Sequence, residues 1–288
     1  MSDPRVLLAQ AEKAQASASS GFSFFGGRTE KLENAADLYQ QAANAFRVQS
    51  QGPEAGQAFE KAAALQRQLN EPDDAANSMV EAFKSYKRQD PINAARCLEQ
   101  AIKHYTSRGS FRRAATHQQN LAELWELDLG DFKKAIEAYD LAGDWFSGDN
   151  AEALANKVYL KVADLAALEK MYAKAIERYE GVARASVNNN LMKWSLKDYF
   201  LKAGFCHLAQ GDMIATRRAL ETYVDLDMAF PSTREYQLLS EIADAVESGD
   251  SDMFEEKVFA YDQLSKLDKW KTTMLLRIKD TIAAEDFA

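Results

Sequence analysis

Ala35-Ala36-x-x-Tyr39, Ala55-Gly56-x-x-Phe59, Ala75-Ala76-x-x-Met79, Ala94-Ala95-x-x-Leu98, Ala114-Ala115-x-x-Gln118, Ala135-Ile136-x-x-Tyr139 and Ala175-Ile176-x-x-Tyr179 repeat one pattern. Its period of about 20 residues predicts one helix per repeat and two per stacking unit. Small pairs let neighbouring helices approach closely, and the larger residue one turn later fills the groove between them. Breakers fall at the same rhythm, among them Gly52-Pro53, Pro72, Asp90-Pro91, Gly109, Gly130-Asp131, Gly148-Asp149, Gly211-Asp212 and Gly249-Asp250. The segments between them carry apolar residues at helical spacing, which predicts about 14 helices and no strand. Asp90 reads as an N-cap followed by proline at the first helical position, and Asp131 and Asp149 read as caps too. Loops this short force consecutive helices antiparallel.

The expected fold is all-α: a twisted, right-handed array of antiparallel helical hairpins over residues 1–230. It is similar in kind to tetratricopeptide solenoids, although the period is longer than theirs and their Trp and Gly-Tyr signature is missing. The rhythm fades after about Asp225, so residues 231–288 are expected to form a helical bundle capping the array.

Composition supports a folded, proline-poor helical chain. Hydrophobic residues make up 47% of it, and 5 prolines interrupt it. The net charge of −9 argues against general nucleic-acid binding. No apolar run is long enough to span a bilayer, and the first residues lack the pattern of a signal peptide. Cys97 and Cys206 stand far apart, which fits a reducing, cytoplasmic compartment.

The sequence carries few residues in chemical patterns. His104, His117 and His207 are scattered, and no metal-ligand or nucleophile motif appears. The stretch from Gly21 to Thr29 lacks the lysine of a phosphate loop and follows no apolar strand. A binding protein without catalytic residues, metal or cofactor is therefore expected. Gly21-Phe22-Ser23-Phe24-Phe25-Gly26-Gly27 places three phenylalanines outside any helical period. They either tuck under the first hairpin or form an apolar tip for a lipid interface or a partner, and the flanking glycines favour the tip.

Charge is segregated along the chain. Lys84, Lys87, Arg88, Arg96, Lys103, Arg108, Arg112 and Arg113 meet only Asp90 and Glu99, whereas residues 235–256 carry eight acids and no Lys or Arg. Segregation of this kind suggests partners of opposite charge; chance clustering on a helical surface is the plainer alternative. Lys157 and Lys161 share one helix face by i,i+4 spacing, and Lys193 and Lys197 repeat it two helices on. With Arg112 and Arg113 on the preceding helix of the same parity, they would form a basic stripe suited to a long acidic rod.

Several runs together resemble the soluble NSF attachment proteins. These are the Phe-rich loop at 22–27, Asp90-Pro91-x-x-Ala94, Ala155-Asn156-Lys157-x3-Lys161-Val162-Ala163, Lys197-Asp198-Tyr199-Phe200 and the run Thr272-Thr273-Met274-Leu275-Leu276-Arg277-Ile278-Lys279. The resemblance covers nearly the whole chain. It implies a non-catalytic adaptor that binds the four-helix SNARE bundle and recruits the AAA ATPase NSF to disassemble it. The SNARE-facing residues carried over are Lys157, Lys161, Lys193 and Lys197. A further basic position falls on Thr116, with Arg112 and Arg113 one turn away to compensate. Phe22, Phe24 and Phe25 match the membrane-contacting loop, which implies peripheral membrane association. Asp212, Asp244 and Glu247 match the acidic face that meets NSF, and Glu285, Asp286 and Phe287 match the acidic tail, with Phe287 in place of the family's leucine. The alternative is a generic helical-repeat scaffold with no ATPase partner.

Overall fold

The computed structural model describes residues 3–19, 27–189 and 192–285. They form fourteen α-helices, two 3-10 turns and no strand. In order these are α1 (Pro4–Ser19), α2 (Gly27–Val48), α3 (Gly52–Gln68), α4 (Pro72–Tyr86), α5 (Pro91–Ser107), α6 (Phe111–Leu127), α7 (Phe132–Gly148), α8 (Glu152–Leu168), α9 (Tyr172–Ser186), α10 (Leu196–Gln210), α11 (Met213–Leu226), α12 (Arg234–Ser248), α13 (Ser251–Leu264) and α14 (Lys269–Glu285). Phe22, Phe24, Phe25, Asp286 and Phe287 lie outside the described residues, as does the side chain of Glu285.

The repeat does what its composition predicts. Every alanine pair quoted above is buried in a helix, at 4% exposure or less. At the second repeat the small residue is Gly56, and a Cβ there would stand 2.4 Å from the Tyr86 ring. Glycine here leaves the space that the Tyr86 ring at the end of α4 occupies against α3. The large residue one turn later is buried each time, and where it is tyrosine its hydroxyl bonds the preceding helix. Tyr39 donates to Gln15 at 2.6 Å, Tyr139 to Glu126 at 2.9 Å and Tyr179 to Asp164 at 2.5 Å. Burial of a phenol needs such a partner.

Loop chemistry keeps the same period. Ser50, Asn70, Gly109, Gly130, Asn150, Lys170, Gly211 and Gly249 all take positive φ and stop one helix before the next begins. Asp90, Asp131, Asp212 and Asp250 cap the following helices by accepting from a backbone N–H three residues on. Asp149, expected as a cap of α8, instead ends α7 and receives Arg112. The repeat also has one more member than its small-residue pattern shows: Ala155 and Asn156 on α8 are buried like the other pairs, with a polar residue in the second place.

Two compact units divide the chain, residues 1–155 and 156–288. In the first, each helix packs on its neighbour in sequence from α1 to α7. In the second, α10 packs on α9, α11, α12 and α14, and α12 and α14 both pack on α13. The expected boundary at 230/231 falls inside this second unit, so α12–α14 share a core with α9–α11. The aromatic centre of that core is Phe200, stacked on Tyr223 with centroids 4.7 Å apart and tilted against Phe230 at 5.0 Å.

Candidate partner-binding surfaces

In the first unit, Arg112 and Arg113 open α6, and both are exposed. Neither is idle. Arg112 Nε donates to Asp149 Oδ2 at 2.5 Å and its Nη2 to the Asp149 carbonyl at 3.2 Å. Arg113 lies 4.3 Å from the centroid of the Tyr105 ring and donates to Asn77 Oδ1 at 2.6 Å. Thr116 is exposed one turn on, its hydroxyl returned to the Arg112 carbonyl at 3.0 Å. Burial, with Arg113 and Lys84 nearby, pushes the His117 pKa down, so His117 adds no proton to this patch near neutral pH. Elsewhere in the basic stretch, Lys84 pairs with Glu81 and Arg96 with Glu60.

In the second unit, Lys157 is exposed on α8, and Lys161 follows one turn later, half-buried. The spacing expected for Lys193 and Lys197 does not survive intact. Lys193 sits in a 3-10 turn, Lys193–Ser195, and Lys197 is the second residue of α10. A 3-10 turn winds more tightly than an α-helix, so the two lysines do not share one helical face. Lys193 is exposed, whereas Lys197 pairs with Glu235 at 3.0 Å. Between them Trp194 is 84% exposed. Periodicity could not flag this exposed tryptophan, because it lies in the 3-10 turn and outside the α-helical repeat.

The Lys-Asp-Tyr-Phe tetrad and the Thr272–Lys279 run turn out to be joints. Lys197 reaches Glu235 on α12, Asp198 receives Lys271 on α14 at 2.6 Å, and Phe200 enters the core. On α14, Trp270 Nε1 donates to the Asp164 carbonyl at 3.0 Å. Arg277 caps α8, donating to the carbonyls of Ala167 at 2.8 Å and Leu168 at 2.7 Å. Both carbonyls lie in the last turn of α8, where the regular helical bonds run out, and that of Ala167 also accepts from the Lys170 N–H at 3.1 Å. Lys202 completes the joint by pairing with Asp164 at 2.8 Å.

The acidic segment is less bare in space than in sequence. Glu235 meets Lys197, Glu241 meets Lys257, Glu255 meets Lys279, and Asp244 and Glu247 both meet Arg217. Asp244 and Glu247 remain exposed, with half or more of each side chain open to solvent. Asp212 is exposed as the N-cap of α11. The acidic segment is thus largely balanced by pairing, and the open features among the candidate residues and their neighbours include Lys157, Lys193, Trp194, Asp212, Asp244 and Glu247.

Comparison with known proteins decides the family. The profile described as "Soluble NSF attachment protein, SNAP" matches residues 2–283. The chain belongs to the soluble NSF attachment protein family. Among SNAP relatives, the "Probable vesicular-fusion protein sec17 homolog" of Schizosaccharomyces pombe is 55% identical over 287 residues, covering 99% of both chains. The alpha-soluble NSF attachment protein of Saccharomyces cerevisiae is 43% identical over 99% of both chains. The human alpha-soluble NSF attachment protein is 41% identical over 98% of this chain and 95% of its own. Membership assigns this SNAP chain to vesicle fusion. Among the described residues, no helix is long and apolar enough to cross a membrane.

Proposed function

We propose that the chain is an adaptor that binds assembled SNARE bundles and recruits and stimulates an NSF-type ATPase to take them apart. The reading is non-catalytic and needs no cofactor. Family membership supports the general role, and the exposed Lys157 with Lys161 one turn on is the observation that carries the SNARE-binding part. Lysines of this kind contribute little singly, about 0.2–1 kcal/mol for each exposed pair. Several copies on one rod add through effective concentration. Weak, salt-sensitive contacts suit an adaptor that must let go once the rod unwinds. Trp194 supplies an aromatic anchor beside Lys193, the residue type that dominates interface energies. Arg112 and Arg113 contribute charge from the first unit while held by Asp149 and Asn77.

Asp212, Asp244 and Glu247, with the tail residues Glu285, Asp286 and Phe287, form the ATPase-facing side of this reading. Phe22, Phe24 and Phe25 supply membrane contact. The test is a disassembly assay with purified NSF, ATP and a fluorescently labelled SNARE bundle, with and without the chain. Disassembly that depends on the chain and weakens as salt rises from 50 to 300 mM (roughly the range over which surface charges become screened) is the expected result. Disassembly indifferent to the chain sinks the adaptor reading.

A further inference from the structure

Asp244 and Glu247 lie three residues apart on α12, so their side chains rise from one face of the helix. Both carboxylates converge on a single nitrogen of α11: Arg217 Nη2 stands 2.6 Å from Asp244 Oδ1 and 2.6 Å from Glu247 Oε2. The hydrogen bond to Glu247, against the opposing effect of burial and with help from Asp244, holds the Arg217 pKa above the usual arginine value. Asp244 Oδ2 and Glu247 Oε1 take no hydrogen bond among the described residues. A carboxylate offers about four acceptor sites, so each acid can still receive a second cation.

We infer that Arg217 sets the strength of this acidic face by occupying the pair in the free protein as a stand-in for the partner's cation. This rests on the reading that the face meets a basic domain of the ATPase. Two carboxylates and one guanidinium leave one net negative charge where the sequence alone shows two. An approaching basic domain is therefore attracted less strongly, and its cations first share the open oxygens and then compete with Arg217 for the rest. Such a device keeps the contact weak enough to exchange during repeated ATPase cycles.

The opposite role is physically distinct. If Arg217 mattered chiefly by holding the two carboxylates in position, its loss would weaken partner binding. If it acts as an internal competitor, its loss strengthens binding, and the sign separates the two.

The experiment measures binding of the purified N-terminal domain of the ATPase to the full chain across a salt series. Arg217→Gln is expected to bind about 2- to 30-fold more tightly at roughly 0.1 M salt, the range for releasing two exposed ion pairs. The gain should shrink as salt screens the extra charge. Arg217→Lys, which restores the charge, should return the affinity toward that of the unaltered chain. Helical circular dichroism checks that each variant is folded, and Arg217→Met is a second neutral variant should glutamine disturb folding. Unchanged or weaker binding by the folded neutral variants overturns the inference while leaving the face assignment standing. Asp244→Asn with Glu247→Gln tests the assignment itself. If that double variant binds as well as the unaltered chain, the face is not the docking site, and the role given to Arg217 falls with it.

Discussion

Arg277→Ala removes the cap that α14 places on α8. The guanidinium donates to two carbonyls, Ala167 at 2.8 Å and Leu168 at 2.7 Å, from a partly buried position. A hydrogen bond from a charged donor is worth about 1.5–3 kcal/mol net. A cation at a helix C-terminus adds roughly 0.3–1 kcal/mol when exposed. Solvent reaches this site in part and water replaces some of what is lost, so the expected cost is about 2–4 kcal/mol for the pair of bonds. Urea unfolding followed by circular dichroism should show a lower midpoint with an unchanged slope. Arg277→Lys keeps the charge but loses the fork, and should recover less than half of the loss. Because α14 leads directly into Glu285, Asp286 and Phe287, loosening it should also lower ATPase stimulation more than SNARE-bundle binding. A stability change below about 0.5 kcal/mol, the scatter of ordinary surface substitutions, would refute the capping argument.

Gly56→Ala forces a Cβ to within 2.4 Å of the Tyr86 ring, which Glu60 tethers through its hydroxyl. Overpacking at about 2–3 kcal/mol outweighs the roughly 1 kcal/mol gained in helix propensity, for a net loss of about 1–2 kcal/mol. Gly181→Ala, with nothing within 4 Å, should instead stabilise by about 0.5–1 kcal/mol; thermal melts that rank the two the other way contradict the packing account. Glu180 takes bonds from His207 at 3.1 Å and Tyr223 at 2.8 Å. Burial raises its pKa, but those bonds outweigh it and the value is lowered from 4.5. Its ionised form therefore stabilises the fold above the ordinary glutamate value, and that stability is lost as pH falls through the lower folded value. Glu180→Gln should cost about 1–3 kcal/mol near neutral pH, with the gap closing in strong acid; a gap that persists at low pH assigns the loss to packing. Phe24→Ser with Phe25→Ser should lower disassembly of liposome-anchored bundles several-fold more than that of soluble ones, and equal loss on both would make the loop structural.

The fold was legible because its signal is periodic and local. Ala94-Ala95, Ala114-Ala115 and their relatives encode close helix contact wherever they stand, and Asp90, Asp131 and Gly109 encode ends without reference to the rest of the chain. The eighth member at Ala155-Asn156 was obscured by a polar residue in a small-residue place. Charge was legible only as composition. Arg217, Lys279 and Lys197 neutralise acids 24 to 38 residues away in sequence, a pairing that no local reading contains. Lys193 and Lys197 looked like an i,i+4 pair because a 3-10 turn leaves no mark on hydrophobic spacing. Trp194 was invisible for the same reason. The motifs that carried the family resemblance, Lys197–Phe200 and Thr272–Lys279, prove to include joints between helices, which explains why their residue types are demanding without being catalytic.

Whether α8 presents a basic grip for an acidic rod is read from the binding of a purified SNARE bundle to Lys157→Glu with Lys161→Glu. Binding should fall at least tenfold, more than about 1.4 kcal/mol, while the helical spectrum and thermal midpoint stay native. A double variant that is folded and binds the bundle as tightly as the unaltered chain would contradict it.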